Sequence, residues 1–425
     1  MSQIQDHPLR FELANELHAR PFPSMVAPGT VAFIALKQAS DEVLDSNADR
    51  MLLIKLLDRF GAPHPQRDAT HYSGNLGKYY LKWEQHTEFA TYTLFREGLS
   101  ERPFDPAEFE AFPPDWISDI EHLRITSIIL RVESRGSDEE ISQKVQEWFV
   151  QESVALSEIL DGAVVTGGDF RIDSAGHLRF ALFLGHGVGN RRVGRVVQRI
   201  CELETYKTMS MLGFSKVKEM SRELNRIDAE INQLISNMTS NKNSAETTLV
   251  ALLSVSAELE IQSAKSAFRF AATKAYESIA CQRVQVLREE RFQGRQTFQE
   301  FMTRRYEPAM RTVKATELRL TAMINRSTRA GNLLRTRVDV ERSAQNQSLL
   351  ESMNKRADLQ LRLQKTVEGL SAVAISYYAV SMAGYLIYPF ATVFGVSKGA
   401  LISSLVLPVL ALVWWFVRRI RSRME

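Results

Sequence analysis

The pattern of apolar and polar positions divides the chain into three stretches. Up to about residue 188, short apolar runs alternate with helical periodicity. Thr30 to Lys37 predicts a strand, and Asp41 to Phe60 an amphipathic helix built on Val43, Met51, Leu52, Ile54, Leu56 and Leu57. From Lys78 to Arg96, Tyr79, Leu81 and Trp83 alternate with Tyr80, Lys82 and Glu84, and a Thr- and aromatic-rich run follows. This predicts a strand pair turning near Gln85 to Thr87. After a Pro-rich connection and a short helix near Trp116, Leu123 to Val132 predicts a buried strand and Ser137 to Phe149 a helix with acids in its first turn. Ala163 to Ile172 and His177 to Leu184 predict two more strands, giving a mixed α/β domain over residues 1–188.

Residues 189–366 read as a stalk of long helices. Val193, Val196, Val197, Ile200 and Leu203 begin one helix, which stops at the polar turn Asn237 to Asn243. Asn243 followed by Glu246 fits a capping box, and a second helix runs from Ser244 to about Gln293. Gly294 and Pro308 predict breaks or kinks, and Gly331 a bend. No helix breaker occurs between Asn332 and Glu368, so the last helix should enter the third stretch without a flexible linker. Gly185, Gly187 and Gly189 sit between a strand and a helix, where backbone amides can cradle phosphate. With no GKS or GKT, and with Asn190 where a third glycine would stand, a domain joint is the better reading.

Residues 367–425 predict a transmembrane hairpin. No charged side chain lies between Gly369 and Ser397, or between Gly399 and Val417. Each run can cross a hydrocarbon layer of roughly 30 Å at ~1.5 Å per helical residue. Arg356, Arg362 and Lys365 precede the first run, Arg418, Arg419, Arg421 and Arg423 follow the second, and only Lys398 lies between. Basic flanks favour the cytoplasmic side, so both termini are expected there. Trp414 and Trp415 close the second run, and with the arginines form a lipid headgroup anchor.

Within the first run, Ser371, Ala374, Tyr378, Ser381, Tyr385 and Tyr388 recur at steps of three and four on one helical stripe. Phenols and hydroxyls facing lipid would leave hydrogen-bonding groups unmet, so the stripe should line a pore or a helix interface. Glu368 would stand at the inner mouth.

Composition narrows the function classes. Among 425 residues, 44% are hydrophobic and the net charge is +3, which gives no reason to expect nucleic acid as a partner. Two cysteines, Cys201 and Cys281, make no disulfide framework and no Cys/His metal spacing. The amino end has no signal-peptide core, so the first 365 or so residues are expected to stay in the cytoplasm. No HExxH, nucleophile elbow, kinase set or carboxylate dyad occurs, and no enzymatic activity is expected, although the segment bearing His7 and His18, through Pro23, has no assigned role. Glu84, His86 and Glu88 would share a face if strand continued through them, a set able to bind a divalent cation. Polar residues on a solvated sheet face are the commoner case.

The runs HPLRFELANELHARPFP (7–23), KWEQHTEFATYTLF (82–95), GRVVQRICELETYKTMSMLG (194–213) and QNQSLLESMNKRADLQLRLQKTVEGLSAVAISYY (345–378) resemble the bacterial domain-of-unknown-function family 3422. The resemblance implies a membrane-associated protein with a helical carboxyl half. In layout the chain is also similar to CorA-type magnesium channels, homopentamers whose first span lines the pore. Ala383 to Phe390 stands where those carry a Gly-Met-Asn signature, which is absent here.

The fold class expected is therefore α+β: cytoplasmic domain, coiled-coil-like stalk and two-helix membrane hairpin. The function expected is that of a homo-oligomeric ion channel or transporter in the bacterial inner membrane. No cofactor is expected, though a divalent cation could be the permeant or regulatory ion. The alternative is a non-conducting anchored scaffold that binds a cytoplasmic protein.

Overall fold

The computed structural model describes residues 4–11, 13, 14, 22–38, 45–67, 69–240, 244–394 and 397–424. The chain forms two compact units, Met1–Ser240 with Val250–Ala330, and Asn241–Leu249 with Gly331–Glu425. These boundaries differ from the sequence division at 188 and 366, because the stripe Val193, Val196, Val197, Ile200 and Leu203 is buried in the same core as the strands. Gly187, at φ +81°, turns the chain directly into that packed helix.

The first unit is built on a nine-stranded sheet of order β2-β3-β4-β1-β5-β8-β7-β6-β9. Its strands are β1 (Gly29–Lys37), β2 (His71–Leu76), β3 (Tyr79–Gln85), β4 (Phe89–Glu97), β5 (Leu123–Ser134), β6 (Ala155–Ile159), β7 (Val164–Ile172), β8 (Leu178–Leu184) and β9 (Glu290–Arg291). All neighbours are antiparallel except β5 and β8, which are parallel with Ile128 beside Leu178.

Both faces of the sheet are covered, which is why β1 is buried along its whole length. Alternation sends Val31, Phe33 and Ala35 to one core and Ala32, Ile34 and Leu36 to the other. The second core is closed by α1 (Ser46–Phe60), a 3₁₀ turn (Pro106–Ala111), α2 (Pro114–Ser118) and α3 (Asp138–Trp148). Leu53, Leu56 and Leu57 of α1 are fully buried there, and the Trp116 indole donates to the Leu52 carbonyl at 2.9 Å. Asp45 caps α1 and Gly61 ends it in the left-handed region, while Ser137 and Glu140 form a capping box on α3.

The first core lies under α4 (Asn190–Ser240), α5 (Ala245–Gln285), α6 (Phe298–Phe301) and the start of α7 (Glu307–Phe394). α5 ends at Gln285, short of the expected Gln293, and Gly294, at φ +73°, lies in the turn after β9 and breaks no helix. Pro308 lies inside a helical run that is continuous from Phe298, and the irregularity expected there is the π-helical turn Met302–Tyr306 directly before it, which accommodates the N–H that proline lacks. Gly331 stays helical within α7.

In the second unit, α7 continues to Phe394 and α8 spans Lys398–Met424. Both contain stretches long and apolar enough to cross a membrane, by length and composition. Residues 341–370 are exposed throughout, including Leu349, Leu350, Met353, Leu359, Leu361 and Leu363. Between the two helices runs a groove of about 440 Å³.

Candidate functional site

The hydroxyl stripe and the groove occupy opposite sides of α7. Ala372, Ser376 and Val380 line the groove, whereas Ser371, Tyr378 and Tyr385 lie half a turn round and are exposed on the single chain, Tyr378 at 67% and Tyr385 at 79%. Ser381 is half-buried. The hairpin's own packing therefore leaves Tyr378 and Tyr385 uncovered. Glu368 is exposed and accepts from the Gln364 amide one turn earlier at 3.1 Å. At the far end of α8 the Arg418 and Arg419 guanidinium groups lie over the Trp414 and Trp415 rings, each at 5.0 Å. Tyr388, Arg421 and Arg423 belong to these helices, but their side chains lie outside the described residues.

In the first unit, strand does not continue through Glu84, His86 and Glu88: residues 86–88 are the turn between β3 and β4. Each carboxylate meets a cation of this chain. Glu84 is 3.0 Å from the Lys82 ammonium, and Glu88 takes Arg269 of α5 at 2.6 Å and the Tyr276 hydroxyl at 2.9 Å. His86 stacks on Phe89 with centroids 4.5 Å apart. Among the described residues, no group of three His, Cys, Asp or Glu side chains is assembled to hold a metal ion.

The face carrying Lys82 and Glu84 is not solvated, contrary to the commoner expectation for such a strand; α4 covers it. The Lys82 ammonium donates to Gln198 Oε1 at 2.9 Å, Gln198 Nε2 donates to Glu202 at 2.6 Å, and Arg283 of α5 donates to the other Glu202 oxygen. Thr91, Thr93, Cys201 and Thr205 line the same space, a cavity of about 20 Å³ that admits little more than one water. Burial pushes the Cys201 thiol far up, so it is a packed, unreactive sulfur, and burial followed by the Glu88 charge raises the Tyr276 phenol. Three cations face three carboxylates here. Such a balanced network holds sheet and helices in register.

These partners escaped the sequence reading, although one signal existed. Gln198 and Glu202 stand one turn apart on a helix whose neighbours Val197, Ile200 and Cys201 are apolar, the spacing of a polar pair inside a buried stripe.

A serine–histidine pair lies elsewhere in the sheet, with Ser127 Oγ 3.0 Å from His177 Nδ1 and the imidazole against Phe109 at 4.1 Å. Asp173 accepts from the backbone N–H of His177 and of Ala175, and not from the ring. Burial lowers the His177 pKa, which favours the neutral ring. At the amino end, His7 Nδ1 accepts from the Leu9 amide at 3.2 Å, and His18 lies outside the described residues.

The family model described as Protein of unknown function (DUF3422) matches residues 5–424. No curated protein and no solved structure matches the chain. The layout likeness to CorA-type channels has no counterpart among these comparisons.

Proposed function

Because the chain belongs to the DUF3422 family, whose description assigns no activity, we propose from its own residues that it is a membrane-anchored homo-oligomer conducting small cations. The observation that carries this reading is one continuous stripe on α7. Leu350, Ala357, Gln364, Ser371, Tyr378 and Tyr385 follow one another a heptad apart, with Met353, Gln360, Val367, Ala374 and Ser381 as the intervening positions. All except the half-buried Ser381 are exposed on the single chain.

The chemistry of the stripe changes where the apolar span begins. Before Glu368 it includes Leu350, Met353, Ala357 and Val367, residues suited to a seam between copies, with Gln360 and Gln364 as polar steps. Beyond Glu368 it carries hydroxyls, which in hydrocarbon need a partner or water. Copies arranged around an axis would satisfy both halves, closing the stalk by apolar contact and lining the span with hydroxyl groups. A ring of Glu368 carboxylates at the inner mouth would concentrate cations, a divalent ion included. The basic flanks support a bacterial inner-membrane placement with both termini cytoplasmic.

The exposure of Leu359 off the stripe, with Leu361 and Leu363 exposed on its flanks, favours a second reading, a non-conducting scaffold binding a cytoplasmic protein. Reconstitution in liposomes separates the two. Cation flux that disappears in Tyr378→Leu with Ser381→Leu, while the protein still inserts and keeps its subunit number, supports conduction. An intact oligomer passing none of the common cations overturns it and leaves the scaffold.

A further inference from the structure

We infer that the groove between α7 and α8 seats one acyl chain of an anionic phospholipid, with the phosphate held at Arg418; this rests on the membrane placement proposed above. At about 440 Å³ the groove falls in the ordinary size range of small-molecule sites. Its walls are apolar: Val373, Val380, Val406, Leu410 and Val413 supply them. Ser376 gives its hydroxyl to the Ala372 carbonyl at 2.7 Å, which leaves the Tyr377 phenol and the Trp414 indole as the polar groups among the lining residues.

The groove also has a direction. Beyond Val380 the helices draw together, and a Cβ placed on Gly384 would sit 3.7 Å from Ile402 Cγ1. A space that closes in this way suits a flexible chain better than a helix about 10 Å across from a second copy. The opposite end is bounded by Trp414, and the Arg418 guanidinium lies over that indole. A guanidinium held over an aromatic ring can still offer its N–H edge to phosphate oxygens. The described part of α8 carries basic residues and no Asp or Glu, so the seat favours an anionic headgroup over a zwitterionic one.

The test is native mass spectrometry of the full chain in detergent, offered equal amounts of phosphatidylglycerol and phosphatidylcholine. One phosphatidylglycerol per chain should be retained with at least about tenfold preference, a difference near 1.4 kcal/mol. Arg418→Gln should abolish the preference, and Val380→Phe or Val413→Phe, which fill the groove, should abolish retention. Equal retention of the two lipids, or retention unchanged in both groove-filling variants, overturns the inference. So does a change in subunit number on filling the groove, which would assign that space to a second copy. Flotation with vesicles of either lipid is the separate arm. A chain that floats with neither overturns the membrane placement itself, whereas one that floats without retaining lipid overturns only the seat.

Discussion

The Lys82 ammonium lies 3.0 Å from a Glu84 carboxylate oxygen and donates to Gln198 at 2.9 Å, so a single cation joins β3 to α4. Both charged side chains are nearly sealed from solvent, at 7% and 10% exposure. Removing one partner of a buried pair leaves the other charge uncompensated, which costs about 3–5 kcal/mol. Lys82→Met should therefore lower the urea midpoint of the first unit by that order, and adding Glu84→Gln should restore much of the loss. A single variant costing under about 1 kcal/mol would show that the pair is solvated in solution.

Glu88 makes a second such junction, taking Arg269 and Tyr276 from α5. Tyr276→Phe deletes one hydrogen bond to a charged acceptor, an expected loss of about 1.5–3 kcal/mol. In Glu88→Gln the same deletion should cost markedly less. A double-mutant cycle in urea reads the coupling, and strict additivity of the two changes would mean that the phenol and carboxylate do not interact.

How much of this was readable depended on distance along the chain. β1 was legible because Val31 to Leu36 is an apolar run buried on both faces, and the β3–β4 turn because alternation stops at Gln85. β2 was not: Ser73, Gly74 and Asn75 look like a loop, and only Leu76 of that strand is buried. β9 is two residues long, too short for any periodicity. Lys82 and Glu84 read as a solvated face because the helix that covers them is supplied by Gln198 and its neighbours, far downstream. The apolar runs of the carboxyl end were legible from composition alone, whereas the groove between α7 and α8 needed the packing of one helix on the other.

His177 gives the first unit a pH dependence of determined sign. Burial lowers its pKa below the ordinary imidazole value of about 6.5, with Asp173 opposing and Arg124 reinforcing the shift. The unfolded chain thus binds the proton more readily than the folded one. Its contribution to stability is complete above about pH 6.5 and declines as the pH falls toward the folded value. Urea midpoints at pH 7.5 and 5.5 should separate more in the native chain than in His177→Gln. An equal separation in the two would show that the ring titrates alike in both states.

The heptad stripe of α7 makes a register-specific claim about the stalk. Leu350 and Met353 belong to it and are 60% and 64% exposed on the single chain; Leu359 is 64% exposed and lies off it. Burying a Leu or Met side chain between copies is worth about 1.5–3 kcal/mol. Leu350→Asp with Met353→Asp should therefore lower the subunit number measured by mass in detergent, and leave the urea midpoint of the first unit unchanged. Leu359→Asp, at a similarly exposed position off the stripe, should leave the subunit number as it was. The reverse outcome, dissociation by Leu359→Asp alone, would move the seam to another face of the helix. Tyr378 and Tyr385 would then turn away from the shared axis, and the conducting reading would fail with the register that supports it.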